Sequence, residues 1–320
     1  MVIGVMGMVK KIIAFDIGGT SLKSGIVNSK RIVDDATLRY DEAKASSTAE
    51  EIVEQLVSII KNHILNFNQD DCLKDIGFAF PGPFDYEKGI SYMKGIDKYD
   101  SLYEYPLKKN LHEKIMELKR IDKKYSCISD NLDITFINDG TAFALGEYSR
   151  LATNFNTKMM VITLGTGCGS SFIDSGIIVR NKGKIPESGM IFAEPFKESI
   201  IDDYVSKRGV IKIAKQHKFD EKVDIAYLNE MASQGNTKAK DVFNEVGTVM
   251  GQAFKQYIEE FKPDYLVFGG GISKAFCLME ESFKEVLKDS NIEIIISEQL
   301  SKSAICGVAS YIIDRRNGNV

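Results

Sequence analysis

The charged and glycine residues near the start of the chain are spaced so that they could bind phosphate. Asp16 is followed by Gly18, Gly19, Thr20 and Lys23. A glycine turn exposes backbone N–H groups with no Cβ in the way of an approaching anion. Asp16 lies in an apolar run, where a magnesium ion, bound directly or through water, would offset the cost of burying its charge. The alternative is an ordinary hairpin, with Lys23 exposed on the returning strand.

A second glycine turn repeats the first. Gly165, Thr166 and Gly167 follow an apolar run, after which the chain returns through another apolar run and reverses again. Both turns are therefore predicted to be β-hairpins. A dinucleotide-binding fold instead needs its glycines to open a helix whose N-terminus holds the pyrophosphate. The pair of hairpins favours a site for the phosphates of a nucleotide.

Two further segments carry candidate functional residues. Asn138 and Asp139 end a predicted strand, where the amide could fix a hydroxyl-bearing ligand and the carboxylate could accept its proton. Alternatively, Asp139 is simply the N-cap of the helix that follows. The run from Gly269 to Gly271 lies between a strand and a helix, which suits close approach by a flat or anionic part of a ligand.

The elements that must position these residues alternate between strands and helices, which indicates an α/β fold. Strands are predicted at residues 12–17, 76–80, 134–139 and 265–268, with a hairpin over 159–179. Helices are predicted at residues 47–67, 107–118, 140–147, 200–216, 224–235, 237–261 and 303–314. A boundary near Asp139 would give an N-terminal lobe, residues 1–139, and a C-terminal lobe, residues 140–320. The final helix could return to the first lobe.

The composition excludes several classes of function. The chain has 320 residues, of which 44% are hydrophobic, and its net charge of -4 argues against a nucleic-acid partner. The five cysteines are dispersed, as expected of reduced cytoplasmic thiols and not of a disulfide frame or a zinc site. The first ten residues are too short for a signal peptide or a membrane span. We interpret them as an N-terminal extension, with Met8 as an alternative start.

The order and spacing of these motifs resemble the ROK family of sugar kinases, over residues 12–313. The matching residues are Asp16, Gly18, Gly19, Thr20 and Lys23, Pro81 and Gly82, Asn138 and Asp139, the run Ala144 to Glu147, the run Leu164 to Gly167, and the run Phe268 to Ile272. The resemblance implies a two-lobed, actin-like (ribonuclease H-like) α/β fold, with ATP and a sugar meeting in the cleft. It also makes a homodimer plausible.

The resemblance implies a role for each matching residue. Asp139 is expected to be the catalytic base, and Asn138 and Gly82 are expected on the sugar side. The first phosphate site would consist of Asp16, Gly18, Gly19, Thr20 and Lys23, with magnesium and ATP bound at Asp16. The second would consist of Gly165, Thr166 and Gly167, and the adenosine edge of Gly269, Gly270, Gly271 and Ser273.

The chain departs from the family pattern in one region. Where the family has Glu-x-Gly-His, this chain has Glu187, Ser188, Gly189 and Met190, and residues 191–199 contain no cysteine. Methionine can neither ligate zinc as imidazole does nor donate to a hydroxyl group. The expectation is a zinc-free member with Glu187 on the sugar, joined by Asp202 in place of a family glutamate. Its pocket would accept a sugar other than glucose, or a broader range.

The leading hypothesis is ATP-dependent phosphorylation of a hexose or hexose derivative at its terminal, 6-position hydroxyl. A non-catalytic ROK-type sugar sensor is the alternative. A regulator of the same family would carry a helix-turn-helix module ahead of the kinase-like body, but only 15 residues precede Asp16 and no basic recognition helix is visible. Polyphosphate as the donor would favour a basic channel, which the near-neutral composition does not suggest.

Overall fold

The protein is described from a computed structural model that covers residues 9–95, 97–152, 154, 156–220, 222–288 and 292–318. Most of the expected N-terminal extension, residues 1–8, lies outside the described residues. The chain divides into two compact units: unit 1 is Met1–Arg150 with Ser301–Val320, and unit 2 is Leu151–Leu300. The division between the units falls after Arg150, whereas the sequence suggested a boundary near Asp139. The final helix lies in unit 1.

Unit 1 contains one five-stranded sheet with helices along it. Its elements are β1 (Val9–Ile17), β2 (Ser21–Val27), β3 (Arg39–Glu42), α1 (Ala49–Ile64), β4 (Asp71–Phe80), β5 (Phe84–Asp85), β6 (Ile90–Ser91), α2 (Leu107–Ile121), β7 (Ile128–Asn138) and α3 (Asp139–Leu151). The strand order is β3-β2-β1-β4-β7. The β1, β4 and β7 strands are parallel, whereas β2 and β3 are antiparallel to their neighbours.

Unit 2 repeats this topology. Its elements are β8 (Lys158–Leu164), β9 (Cys168–Asp174), β10 (Ile177–Ile178), β11 (Pro195–Phe196), β12 (Ser199–Ile200), α4 (Asp202–Val205), α5 (Lys207–Gln216), α6 (Ile225–Ser233), α7 (Thr237–Phe261), β13 (Tyr265–Gly269), α8 (Glu280–Leu287) and β14 (Glu293–Ile296). The order β10-β9-β8-β13-β14 combines two antiparallel and two parallel pairings, as in unit 1.

Aromatic side chains fix the parallel strands of unit 1 that lead to the predicted site. Phe15, Phe78 and Phe136 occupy matching positions on β1, β4 and β7. Their rings stack at centroid distances of 4.7 and 4.9 Å and are fully buried or nearly so. Because Phe15 immediately precedes Asp16, this buried stack sets the position at which the aspartate leaves the core.

The C-terminal helix α9 (Leu300–Arg316) packs closely on α3 within unit 1. A Cβ on Gly146 would lie 1.8 Å from the Ser303 carbonyl oxygen, and one on Gly307 would lie 1.7 Å from the Ala142 carbonyl oxygen. A glycine on each helix therefore permits backbone contact that any larger side chain would block. Within the described residues, no helix combines the length and the apolar character needed to cross a membrane.

Several predicted elements are longer in the structure than in the sequence pattern. The strand predicted at 76–80 begins at Asp71, and the one predicted at 134–139 begins at Ile128. Their first halves contain charged residues, including Asp75, which break the apolar run although Asp75 is 1% exposed. The edge strands β3 and β14 were missed because they are short, and three of the four side chains of β3 are charged.

Candidate functional site

The first hairpin, defined here as β1, β2 and the turn between them, carries an ion pair beside its glycine turn. Asp16 of β1 faces Lys23 of β2, and Lys23 Nζ lies 3.7 Å from Asp16 Oδ2. In the turn, the N–H groups of Gly19 and Thr20 make no hydrogen bond to any residue in the described part of the chain. Two adjacent unbonded donors next to a lysine form an arrangement that suits an oxyanion.

Two residues that the sequence analysis did not single out support this turn. The Tyr99 hydroxyl donates to the Gly18 carbonyl oxygen at 2.9 Å, and burial raises the pKa of Tyr99, which keeps the hydroxyl a donor. The Lys98 side chain lies across Gly19, since a Cβ there would be 2.4 Å from Lys98 Cδ. Both lie between the strand predicted at residues 76–80 and the helix predicted at residues 107–118, where no periodic pattern marked them.

The sequence left two roles open for Asp139, proton acceptor or helix N-cap, and the junction of β7 and α3 bears on the second. Asn138 is the capping residue, because its Oδ1 accepts the Thr141 N–H at 3.1 Å. Asp139 is the first residue of the helix, and its Oδ1 accepts the Gly140 N–H at 2.8 Å. The helix cap is thus provided by the neighbour, and Asp139 is left with a carboxylate at the positive end of the helix.

The Tyr86 hydroxyl contacts both residues of unit 1 that were predicted to lie on the sugar side, Asn138 and Gly82. The Asn138 amide donates to the Tyr86 hydroxyl at 3.1 Å, and that hydroxyl donates to the Phe80 carbonyl oxygen at 3.1 Å. A Cβ on Gly82 would lie 3.2 Å from the same hydroxyl. Asn138 and Gly82 therefore lie on either side of Tyr86, a residue that the sequence analysis missed.

The two carboxylates of unit 1 interact electrostatically. Burial raises the pKa of Asp16, while a hydrogen bond from Ser301 and the charge of Lys23 act in the opposite direction. Burial also raises the pKa of Asp139, and the negative charge of Asp16 raises it further, against the Gly140 N–H. Asp139 is consequently a stronger proton acceptor than an exposed aspartate, and the pair would be stabilised by added positive charge.

Two serines of α9 connect that helix to this region. Ser301 hydrogen-bonds to Asp16, and the Ser303 hydroxyl donates to Glu147 Oε1 at 2.5 Å. Glu147 is fully buried in α3 and also pairs with Arg150. The helix that begins at Asp139 and the helix that reaches Asp16 are thus joined by a buried carboxylate.

The second hairpin, defined here as β8, β9 and the turn between them, has a turn made by Gly165, Thr166 and Gly167. The N–H groups of Thr166 and Gly167 form no hydrogen bond within the described residues, like those of Gly19 and Thr20 in unit 1. No charged side chain lies in the strand register beside this turn, where Thr163 faces Gly169. The backbone donors of the first hairpin are therefore repeated without its ion pair.

Asp202 lies against the second hairpin. Its Oδ1 accepts the Cys168 N–H, and its other oxygen contacts the Arg208 guanidinium. Asp202 is 4% exposed, whereas Glu187, the other predicted sugar-side residue of unit 2, is exposed. The Ser170 hydroxyl, also on β9, accepts the Ile191 N–H at 2.9 Å and so fixes the segment that follows Glu187.

The glycine run after β13 contains both a packed and an open position. Gly270 has φ +95°, and a Cβ there would lie 2.2 Å from the Leu164 carbonyl oxygen, so this glycine serves the close approach of the second hairpin. The Ser273 hydroxyl donates to the Gly270 carbonyl oxygen at 2.7 Å. Gly271 has open space at its Cβ position, which leaves room for a ligand there.

Each unit thus gathers its own share of the predicted residues. Unit 1 brings the first turn, Asp16, Lys23 and Asp139 together, and unit 2 brings the second turn, Asp202 and Gly270 together. In the parts of the chain that are described, no three His, Cys, Asp or Glu side chains could hold a metal ion by themselves. All five cysteines are free thiols.

Comparisons with known proteins agree with this arrangement. The ROK family model matches residues 12–315. The chain is 25% identical over 336 residues to the glucokinase of Thermotoga maritima, covering 96% of this chain and 99% of that one. It is similar in structure to the ROK hexokinase of Thermus thermophilus, with a TM-score of 0.75, 17% identity, and coverage of 96% and 100%. The ROK family glucokinase of Streptomyces griseus, solved with glucose and AMPPNP, has a TM-score of 0.65, 21% identity, and coverage of 94% and 98%.

These similarities confirm the fold predicted from the sequence. The chain has the α/β fold of the actin-like (ribonuclease H-like) ATPases, with a mixed five-stranded sheet in each of its two units. Since the family match extends over almost the whole chain and includes both glycine turns, the protein belongs to the ROK family.

Proposed function

We propose that this protein is an ATP-dependent sugar kinase, which transfers the γ-phosphoryl group of ATP to a hydroxyl of a hexose or hexose derivative. The observation that carries the proposal is Asp139. It is a desolvated carboxylate at the start of a helix, close enough to Asp16 of the first hairpin for their charges to interact. A proton acceptor next to a phosphate-binding turn is the arrangement that phosphoryl transfer to a hydroxyl requires.

In the proposed reaction, Asp139 accepts the proton of the attacking hydroxyl, which we assign to the 6-position of the sugar. The transition state of phosphoryl transfer is loose and rich in charge, so the protein mainly positions the reactants and stabilises negative charge. The raised pKa of Asp139 supports its role as the base, since a stronger acceptor matches the weakly acidic hydroxyl better.

The phosphates of ATP are proposed to bind to the two glycine turns. Each turn offers two adjacent N–H groups that have no partner among the described residues, and Lys23 adds positive charge at the first. Asp16 would hold, directly or through water, the magnesium ion that accompanies ATP. One carboxylate is a sufficient protein contribution, because nucleotide-bound magnesium keeps several water and phosphate ligands. When bound, the ion would neutralise phosphate charge.

The sugar is proposed to contact Asn138, Gly82, Glu187 and Asp202, and the adenosine to lie along Gly269, Gly270, Gly271 and Ser273. The exposed carboxylate of Glu187 supports its part, since it can accept from sugar hydroxyls. Met190 offers no imidazole nitrogen, so the proposed enzyme works without zinc. An apolar, adaptable side chain at this position favours a sugar other than glucose, or a broader range of sugars.

The setting of the enzyme follows from the same reasoning. Free thiols suit a reducing compartment, and we propose that the protein acts in the cytoplasm on small molecules, without nucleic acid or membrane partners. A homodimer is proposed on the family resemblance. Sedimentation of the purified protein in the presence and absence of ATP would test the dimer directly.

A coupled ADP-release assay with Mg-ATP tests the proposal. The panel comprises hexoses, amino sugars, N-acetylated sugars and β-glucosides, and each active sugar is then compared with its 6-deoxy form. Turnover on at least one sugar is expected, with none on its 6-deoxy form. Asp139→Asn should lower kcat roughly 100-fold to 10,000-fold while nucleotide affinity is retained, because only the proton acceptor is lost.

Asp133→Asn is the matched control for that variant. Asp133 lies in β7, the strand that leads to Asp139, six residues before it, and its replacement should leave turnover unchanged. If no sugar is phosphorylated while thermal shifts still reveal ATP or sugar binding, the kinase proposal fails and the non-catalytic sensor replaces it. Turnover of the 6-deoxy sugar would move the reaction to another hydroxyl.

A further inference from the structure

A short segment of unit 2 holds the second hairpin at both ends of its turn. The segment runs from Asp202 to Arg208 and comprises α4 and the first residues of α5. Asp202 Oδ1 accepts the Cys168 N–H immediately after the turn, and the Lys207 N–H donates to the Gly165 carbonyl oxygen at its start, at 2.9 Å. The segment therefore makes one hydrogen bond to each end of the turn.

We infer that Asp202 and Arg208 are positioning residues for the nucleotide phosphates, acting through the second glycine turn. The inference rests on the proposed function, because it presumes that this turn binds ATP. The hydrogen bonds at Gly165 and Cys168 hold the ends of the turn, while the intervening N–H groups of Thr166 and Gly167 have no partner in the described part of the chain. Those two donors are thereby pre-oriented for an anion.

Arg208 offsets the free-energy cost of burying the Asp202 carboxylate beside the second turn. Asp202 is 4% exposed, and an unpaired charge at that depth would be costly. Arg208 contacts the second oxygen of Asp202 and lies 3.2 Å from Asp203 Oδ1, although its own side chain is 61% exposed. The guanidinium therefore offsets the cost of burying the Asp202 charge and holds the carboxylate oriented toward the Cys168 N–H. Because the Arg208 side chain is exposed, its replacement should disturb the packing of unit 2 little.

The positioning role is compatible with the sugar contact proposed for Asp202. A carboxylate has about four lone-pair sites, and the Cys168 N–H and Arg208 occupy two of them. The two roles differ in what they predict. Loss of a sugar contact raises the Kd for the sugar alone, whereas loss of positioning raises the Kd for the nucleotide even when no sugar is present.

Titration calorimetry with Mg-AMPPNP, without sugar, separates the two roles. Arg208→Ala should weaken nucleotide binding about threefold to fivefold, as expected for a partly exposed ion pair. Asp202→Asn should weaken it about tenfold, because the charge-assisted hydrogen bond to the turn is lost. Arg208→Lys keeps the charge and should restore affinity to within about twofold of wild type. The double variant with Asp202→Asn and Arg208→Ala should bind the nucleotide no more weakly than Asp202→Asn alone, since both changes break the same ion pair.

Asp264→Asn is the matched control. Asp264 Oδ2 accepts the Lys158 N–H at 2.7 Å, so it also holds the second hairpin by an aspartate-to-backbone bond, but at the start of β8, far along the strand from the turn. This variant should bind the nucleotide as wild type does. Thermal unfolding of each variant checks the fold, and the exposed Arg208 keeps the test open if Asp202→Asn does not fold.

The outcomes separate this inference from the proposed function. If wild type binds the nucleotide and Arg208→Ala binds it equally well, the positioning role is overturned while the kinase stands. If Asp202→Asn raises the Kd for the sugar but leaves the Kd for the nucleotide unchanged, the positioning role is also overturned and Asp202 is assigned to the sugar only. If wild type fails to bind the nucleotide at all, the proposed function and this inference fall together.

Discussion

The two glycine hairpins share one backbone design but differ in charge. In each, a buried strand ends in a turn with two adjacent N–H groups that lack a partner among the described residues. At equivalent places in the register, the first hairpin pairs Asp16 with Lys23, whereas the second pairs Thr163 with Gly169. Backbone donors that suit an anion are thus common to both units, but only the first hairpin has a charged pair in its own strand register, beside Asp139.

The two turns are also supported in different ways. A phenol, Tyr99, holds the first turn, and the side chain of Lys98 covers it. A carboxylate, Asp202, and the start of a helix hold the second. The difference teaches that similar turns can be held by unrelated groups, because any donor that reaches the carbonyl oxygen at the start of the turn satisfies it, whether the Tyr99 hydroxyl or the Lys207 N–H.

The strongest test of the comparison replaces the two residues that occupy equivalent positions in the two hairpins, Asp16 and Thr163, one at a time. Asp16→Asn should lower kcat on the order of 100-fold, because it removes the proposed magnesium ligand and the partner of Lys23. Thr163→Val, the matched change in the second hairpin, should lower kcat by less than about threefold, since no charge is lost. Steady-state kinetics with Mg-ATP measures both. Equal losses would contradict the unequal division of charge chemistry between the hairpins.

The next test asks whether the open side of the second turn is reserved for a ligand. A Cβ at Gly165 meets no atom within 4 Å, so Gly165→Ala should leave the thermal midpoint unchanged. Nucleotide affinity should nevertheless fall about tenfold, because the methyl group occupies space that a phosphate would use. Calorimetry and thermal unfolding measure the two effects.

Gly18→Ala provides the contrast in the first turn. Its Cβ would lie 2.9 Å from the Ser21 carbonyl oxygen, a backbone atom that cannot move aside cheaply, so this variant should lose stability as well as affinity. If Gly165→Ala bound the nucleotide normally, the second turn would be an ordinary hairpin turn.

The sequence predicted the features that depend on neighbouring residues. The hairpins, the helix caps and the polar pair Asn138 and Asp139 are all visible in local patterns of apolar, glycine and capping residues. Thr48, for instance, is of a residue type that favours the N-cap, and it forms a capping box with Glu51 at the start of the helix predicted over residues 47–67. Local physics decides these elements, so a single sequence is enough to predict them.

The supporting residues could not be predicted in the same way. Tyr99 contacts Gly18 across 81 residues of chain, and Asp202 contacts Cys168 across 34. Their contacts depend on how strands and loops pack, which no periodicity records. Asp202 was expected only as a sugar ligand from the family resemblance, and its bond to the turn emerged from the structure.

A smaller effect is expected from removing the phenol that holds the first turn. Tyr99→Phe deletes one hydrogen bond to the Gly18 carbonyl oxygen, worth about 1 kcal/mol. Nucleotide affinity should fall by at most about fivefold and kcat should change little, because Asp16 and Asp139 are retained. Calorimetry provides the measurement, and Tyr40→Phe, at an exposed tyrosine of β3, is the control. A loss of kcat as large as that of Asp16→Asn would show that Tyr99 does more than hold the turn.

The most delicate difference between the hairpins is electrostatic, and a pH profile detects it. Asp139 must be deprotonated to accept a proton, so kcat/KM should fall as the pH is lowered through the pKa of this residue. That acid limb should lie above the ordinary carboxyl value of 3.8, because burial, and then the charge of Asp16, raises the pKa of Asp139. The residual activity of Asp16→Asn should show the limb at lower pH, since the neighbouring negative charge is gone. Thr163→Val should leave the limb where wild type has it. A limb that moves with Thr163→Val, or stays in place with Asp16→Asn, would mean that the group being titrated is not Asp139 next to the first hairpin.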